Sequence, residues 1–144
     1  MKMQQVFLLS DEQFKHYWPN IQKELQKIPQ YRTWMTDEGV FEAAVKGAMQ
    51  FWALSTDSIQ CILMTEIRSY PGGKTLRFIG AVGQNFDEFL PQVESIFGSV
   101  ARSLGCDKVE VVGTRRGWYR KLRKFGFEFS HEILIRDVEL KKEH

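Results

Sequence analysis

Cysteine, histidine and long apolar runs are all scarce in this chain of 144 residues, and each shortage closes off a class of protein. The two cysteines, Cys61 and Cys106, and the three histidines, His16, His131 and His144, are scattered without ligand spacing. Neither a disulfide framework nor a metal centre is expected, and both cysteines read as reduced core residues. The longest apolar stretches, such as "VFLL" and "CILM", span a few residues, whereas a membrane-crossing helix needs roughly 18. At the N-terminus, "MKMQQVFLLSDEQ" pairs too short an apolar run with immediate acidic residues, so no cleavable leader is expected and the protein reads as cytoplasmic. There is no internal repeat and no linker rich in proline, glycine or serine, so residues 1–144 are expected to form a single domain. What is present, 43% hydrophobic and 26% charged residues, suffices for a core that needs no covalent staple.

Charge is unevenly placed. The formal net charge is +2, yet the stretch "TRRGWYRKLRKFGF" at 114–127 carries six cations and no anion, leaving −4 for the other 130 residues. A general nucleic-acid coat is therefore not expected. Arg116, Arg120 and Lys124 recur at i, i+4, i+8, which predicts a helix with a cationic face. Like charges at that spacing cost a few tenths of a kcal/mol per pair, which an anionic partner or acidic neighbour would offset. Arg115 and Arg116 oppose the helix dipole at its start and are the better candidates for a ligand.

Periodicity predicts the elements. "QQVFLL" reads as a strand, and Ser10 to Gln13 forms a capping-box pattern that opens a helix. Pro19 is expected to break or restart that helix, which Ile21, Leu25 and Ile28 continue and Pro29 closes. Thr36 caps a second helix whose inward stripe is Val40, Phe41, Ala44 and Val45. "AMQFWALS" is the next strand. The alternation Ile59, Cys61, Leu63, Thr65, Ile67 and the "YPGGK" turn then predict an antiparallel hairpin over residues 59–83. From Asn85 the period becomes helical, with Phe86, Phe89, Leu90, Val93, Ile96, Phe97, Val100, Ala101 and Leu104 on one face and Gly105 as C-terminal cap. "DKVEVVG" is a short strand, the basic stretch a helix capped by Gly126, and "FEFSHEILIRDVEL" a final strand or hairpin.

From Thr75 to Leu140, almost half the chain, this order resembles the C-terminal half of the GCN5-related N-acetyltransferase (GNAT) superfamily. The matching parts are the strand "TLRFIGAVG", the long helix over 85–104, the strand "DKVEVVG", the short helix "YRKLRKFGF" ending in Gly126-Phe127, and the strand in "EFSHEILI". The first strand, two helices and three-stranded meander fit the same fold. The resemblance implies an α+β domain with a central, mostly antiparallel twisted sheet and helices on both faces. It further implies acetyl-CoA in a V-shaped gap between the fourth and fifth strands, with the backbone of Ala81, Val82 and Gly83 pairing with the pantetheine arm. Arg115 and Arg116 would face the anionic cofactor.

Two departures stand out against that family. Its phosphate loop, [QR]-x-x-G-x-[GA], would fall in "GQNFDEFLPQV", where no further glycine follows Gly83 and where Asp87, Glu88 and Pro91 open the helix. Those carboxylates occupy the positive helix end that a pyrophosphate would need. The tyrosine that many members place four residues before the glycine of the Gly-Phe ending, as general acid, is here Leu122; Tyr119, one turn earlier, is the substitute. For a general base, Glu66 and Glu110 are the strand-borne candidates, with Arg77 or Lys108 as alternative ion-pair partners for Glu110. Trp18, Trp34 and Trp52 read as core residues or as an aromatic lid over an acceptor side.

Short, degenerate GNAT-like proteins without the glycine loop and the tyrosine are similar to ones encoded among the virion and morphogenesis genes of tailed phages. Those also place arginine and an aromatic before the Gly-Phe helix, as "RRGWYRKL" does here. Two main function classes follow: an acyl-CoA-dependent N-acetyltransferase with an atypical cofactor loop, acting on a small amine or protein acceptor, or a non-catalytic GNAT-like phage virion or accessory protein that contacts partners through its basic helix 115–124. The second class would place the protein in a virion. A third, weaker class is a nucleic-acid-associated module.

Overall fold

The computed structural model describes residues 4–27, 35–84, 86–111 and 116–127. Residues 1–113 form one compact unit and residues 114–144 another. In the first unit β1 (Gln5–Leu8), α1 (Asp11–Leu25), α2 (Asp37–Val45), β2 (Met49–Ser55), β3 (Ile59–Tyr70), β4 (Gly73–Gly83), α3 (Phe86–Ser103) and β5 (Lys108–Val111) follow in order.

Helix α1 begins where the sequence predicts. The Gln13 N–H donates to Ser10 Oγ at 3.2 Å, and the Ser10 N–H donates to Gln13 Oε1 at 2.9 Å, so two otherwise unpaired amides are satisfied reciprocally. The helix does not break at Pro19, which lies inside it. Pro19 is exposed, and so is Lys15, whose carbonyl loses its partner to the missing N–H. Water can serve that carbonyl, while Phe14, Ile21 and Leu25 hold the opposite side in the core. Ile28, Pro29 and Trp34 lie outside the described residues.

Thr36 Oγ1 caps α2 by accepting from the Gly39 N–H at 3.1 Å. Val40 is buried and Phe41 and Ala44 are partly so, but Val45 is 41% exposed. Five residues beyond Val40 is about 140° round the helix, which carries Val45 off the inward stripe.

The five strands lie in the order β1-β2-β3-β4-β5, antiparallel throughout except for the parallel pair β4 and β5. This is an α+β fold with a mixed sheet and helices on both faces. One face carries Phe51, Ala53, Ile62, Met64 and Ile79 under α1 and α2, where Phe14 meets Phe51 at 4.9 Å between ring centroids. The other carries Trp52, Leu54, Cys61, Leu63 and Leu76 under α3, which contributes Phe89, Val93, Phe97 and Ala101. Strand β3 is buried on both sides over Cys61–Thr65, and its polar member is satisfied: Trp52 Nε1 donates to Thr65 Oγ1 at 2.9 Å, which donates to Gln50 Oε1 at 2.8 Å.

Helix α3 ends as expected at Gly105, whose φ of +73° allows the Gly105 N–H to reach the Arg102 carbonyl and the Cys106 N–H to reach that of Ala101. Leu104 lies past the last helical residue and is 42% exposed, so it leaves the apolar face that the periodicity gives it. Both cysteines are free thiols. Among the described residues no helix is long and apolar enough to cross a membrane.

In the second unit, α4 spans Arg116–Arg123. It ends in the same type of cap: Gly126, at φ +89°, donates to the Arg123 carbonyl at 3.1 Å and Phe127 to that of Leu122 at 3.4 Å. Leu122 is buried, whereas Arg120, Arg123 and Lys124 are exposed. The expected final strand or hairpin beyond Phe127 lies outside the described residues.

Candidate functional site

Among the described residues, strands β4 and β5 run side by side at one end of β4. Their register couples Thr75 with Lys108 and ends at Phe78 with Val111, whereas β4 continues to Gly83. Among the described residues nothing flanks β4 on that side beyond Phe78. The joined end is pinned by side chains as well as by the ladder. The Asp107 N–H donates to the Lys74 carbonyl at 2.8 Å, and Thr75 Oγ1 donates to the Lys108 carbonyl at 3.1 Å. Arg77 Nε donates to Glu110 Oε2 at 3.1 Å, Arg77 NH2 donates to Tyr70 Oη at 2.8 Å, and Glu66 Oε1 lies 3.8 Å from Arg77 NH1.

One residue sets how the end of β4 is presented. Thr65 pairs with Phe78 and Met64 with Gly80, so Ile79 is an extra residue, a β-bulge. The bulge shifts the alternation by one. Leu76 and Phe78 lie on the α3 face before it and Ala81 after it, while Ile79 packs on the opposite face with Ile62 and Met64.

Backbone groups change phase with the side chains. In an antiparallel pair, residues alternate between turning both N–H and C=O toward the partner strand and turning both away. The Lys74 carbonyl already serves Asp107 on the β5 side, so Lys74, Leu76 and Phe78 form the outward set before the bulge. Past it, the Gln84 N–H donates to the Gln60 carbonyl at 2.9 Å, and the register sets these two residues directly opposite each other, so Gln84 faces β3. Counting back in steps of two, Val82 also faces β3, while Ala81 and Gly83 aim their N–H and C=O outward. Of the three strand-end residues expected to present backbone, two are so oriented and Val82 is turned the other way.

The strand closes on a glycine that nothing else can replace without strain. Gly83 has φ +121°, and a Cβ there would stand 2.4 Å from the Gln60 carbonyl oxygen and 2.8 Å from Cys61 Cα. Only Gln84 and Asn85 then separate β4 from α3, whose first turn carries the exposed Asp87 and Glu88. Beside this exit lies a hollow of about 400 Å³ lined by Tyr17, Asn20 and Glu24 of α1, Ile62 of β3, Gly83 and Gln84. The charged residue of its lining is Glu24.

The other sequence candidates distribute as follows. Glu110 and Glu66 both border Arg77, and Glu110 is 29% and Arg77 15% exposed, so the Glu110 carboxylate enters the site already paired. Arg115 lies outside the described residues, as do the side chains of Arg116 and Tyr119 on α4. Trp18 packs against Phe14 and Phe41, with centroids 5.3 and 5.6 Å apart, and Trp52 against Phe97 at 5.1 Å, both as core. Sequence reasoning missed the bulge and the hollow. The run "FIGAV" contains a glycine, a common companion of bulges, but nothing in it says which residue is extra.

Neither a family model nor a curated protein matches the sequence significantly. Solved structures do match. An aminoglycoside N-acetyltransferase in complex with CoA is similar over 97% of each chain, at 10% identity and a TM-score of 0.69. A predicted acetyltransferase from Clostridium acetobutylicum, solved with acetyl-CoA, is similar over 94% of this chain and 96% of its own, at 11% identity and a TM-score of 0.67. A ribosomal-protein-alanine N-acetyltransferase from Brucella melitensis is similar over 94% of this chain and all of its own, at 13% identity and a TM-score of 0.67. Likeness at this level of identity establishes the fold, and the end of β4 from Ala81 to Gly83 is where a site can be built on it.

Proposed function

We propose that this chain, built on the fold of the GCN5-related N-acetyltransferases, is an N-acyltransferase whose donor lies along the edge of β4 at Ala81 to Gly83. The single observation that carries this reading is the backbone of Ala81 and Gly83, which is turned away from β3 at the end of β4. The acyl-pantetheine part of acetyl-CoA fits that edge, because its amides can extend the sheet as a short extra strand would. When bound, the cofactor supplies an acyl group activated as a thioester. An outward N–H of β4 is a preorganised donor toward negative charge on an acyl oxygen. The resemblance to that family assigns Arg115 and Arg116 to the anionic donor, and Tyr119, in place of Leu122, to the proton taken up by a departing thiolate. The acceptor is a small amine or a protein amine. Glu110 serves chiefly as the ion-pair partner of Arg77, since its Oε2 already accepts from Nε.

Thermal unfolding with and without millimolar acetyl-CoA, together with release of free thiol in the presence of an amine panel, tests the reading. A donor at 100 times its dissociation constant adds about 2.7 kcal/mol of stability. Absence of any shift with acetyl-CoA, longer acyl-CoAs and acyl-pantetheines would refute it.

A second reading is favoured by the acidic start of α3 and the two-residue connection before it: a non-catalytic protein of the same fold, a phage virion or accessory component, acting through protein contacts of the basic helix 115–124. Its exposed Arg120, Arg123 and Lys124 suit an acidic partner. Under this reading no thioester binds, and an assembly seen by light scattering dissolves on Arg120→Glu.

A further inference from the structure

The first strand forms the rim of the sheet. Among the described residues β1 pairs on one side only, with β2. The Leu9 N–H donates to the Phe51 carbonyl at 2.9 Å, and the register, which runs without a shift from Gln5 with Ser55 to Leu8 with Trp52, sets Leu9 and Phe51 opposite each other. Leu9 therefore faces β2, and so, in steps of two, do Phe7 and Gln5. Val6 and Leu8 turn both N–H and C=O away from the sheet.

Folded proteins protect such an edge with lysine, proline, a bulge or a cover. The strand Gln5–Leu8, "QVFL", carries no charge, no proline and no bulge. Leu8 is 52% exposed, and the margin where the strand ends is apolar as well: a hollow of about 210 Å³ is lined by Leu8, Ala44 and the exposed Val45, and its charged lining residues, Asp11 and Lys46, are of opposite sign.

We propose that β1 pairs antiparallel with β1 of a second copy of this chain, about a two-fold axis at Phe7, which joins two five-stranded sheets into one. The strand's own pattern selects a copy of itself. With Phe7 opposite Phe7 of the second copy, Val6 stands opposite Leu8 and Leu8 opposite Val6, so every outward N–H and C=O of one strand meets its complement on the other. Side chains match too. Val6 packs on the α3 face and Phe7 on the α1 and α2 face, and Leu8 shares the side of Val6 by alternation, so each apolar side chain gains an apolar neighbour on its own face. From Gln5 to Leu9 no charge is set against a like charge. An edge of four residues with an apolar margin is small for an interface, so the dimer dissociates in the micromolar range. The pairing is independent of the acyltransferase reading.

Sedimentation velocity on the full chain from low micromolar to millimolar concentration, read beside amide hydrogen exchange, tests it. The expected result is a monomer–dimer equilibrium in which the Val6 and Leu8 amides slow by about tenfold or more on association, while the Phe7 amide, turned to β2, changes little. Leu8→Lys charges the edge at an exposed side chain and should abolish the dimer while leaving the monomer's melting temperature nearly unchanged, whereas Arg120→Glu should leave the dimer intact. The exchange pattern needs no variant, so it decides the matter even where Leu8→Lys does not fold. A single-chain mass at every concentration overturns the inference. So does a dimer that survives Leu8→Lys and whose Val6 and Leu8 amides exchange at one rate throughout, since the copies then meet elsewhere. A monomer whose Val6 and Leu8 amides slow only when an unrelated extended peptide is added gives the edge to a foreign strand and overturns it likewise.

Discussion

Replacing Arg77 by methionine removes the group that ties the joined end of the β4–β5 pair together while keeping most of the side chain's apolar stem. Three contacts are lost: a charge-assisted hydrogen bond to Glu110 at 3.1 Å, one to Tyr70 at 2.8 Å, and an ion pair with Glu66 at 3.8 Å. A hydrogen bond to a charged group contributes about 1.5–3 kcal/mol when buried. Here the partners are 15% and 29% exposed, so water returns part of that and about 1–2 kcal/mol is the fitting figure. The Tyr70 and Glu66 contacts, nearer the surface or longer, add about 0.5–1 kcal/mol together. The loss should total about 2 kcal/mol, or roughly 4–8 °C in melting temperature for a chain of this length. Urea unfolding of Arg77→Met, Glu110→Gln and the double variant measures it directly. The pair should show a coupling of about 1 kcal/mol, because each single change strands the other partner. Additivity to within about 0.3 kcal/mol, or a single-variant loss under about 0.5 kcal/mol, would mean that the pair does not hold the two strands together.

Three further outcomes follow from the geometry. Gly83→Ala should destabilise by about 2 kcal/mol or more, since it adds a Cβ 2.4 Å from a backbone oxygen in a left-handed conformation; an unchanged urea midpoint would show that the strand end relaxes freely. Phe89→Ala should cost about 3–5 kcal/mol, because Phe89 is fully buried between α3, which carries it, and the sheet, and its loss leaves a cavity there; near-parental stability would contradict the packing described. Tyr119→Phe should lower amine-dependent thiol release about a hundredfold with donor affinity unchanged, whereas Glu110→Gln should leave turnover within a few-fold once its stability loss is allowed for. The opposite ranking would exchange the roles given to the two residues.

Local chemistry made much of this fold legible in advance. The reciprocal cap of Ser10 and Gln13, the Thr36 cap, the Pro71-Gly72 turn and the terminating glycines at 105 and 126 depend on a few neighbouring residues, and all lie where the sequence puts them. The Arg77–Glu110 pair was legible too, as one of two partners open to that carboxylate. What escaped depends on neighbours distant in sequence. Pro19 sits in mid-helix because its side faces water, and Val45 is exposed because the helix carries it about 140° round from the buried Val40. Of the candidate site, residues 81 to 83 were legible as a strand end, but which of them turn their backbone outward depends on a phase shift at Ile79 that no composition signals.

That phase shift has a consequence for how the segment can vary over generations. Leu76 and Ala81 share the α3 face although five positions, an odd number, separate them, because the extra residue at Ile79 absorbs one step of the alternation. Losing that one residue would leave four positions between them and restore the plain alternation, with Ala81 and Gly83 still turned from β3. A change of length at the bulge is thus the one the strand end can take without inverting its faces, whereas losing a residue between Ala81 and Gly83 has no bulge to absorb it. Relatives could gain or lose the bulge and still keep the same backbone outward at the strand-closing glycine.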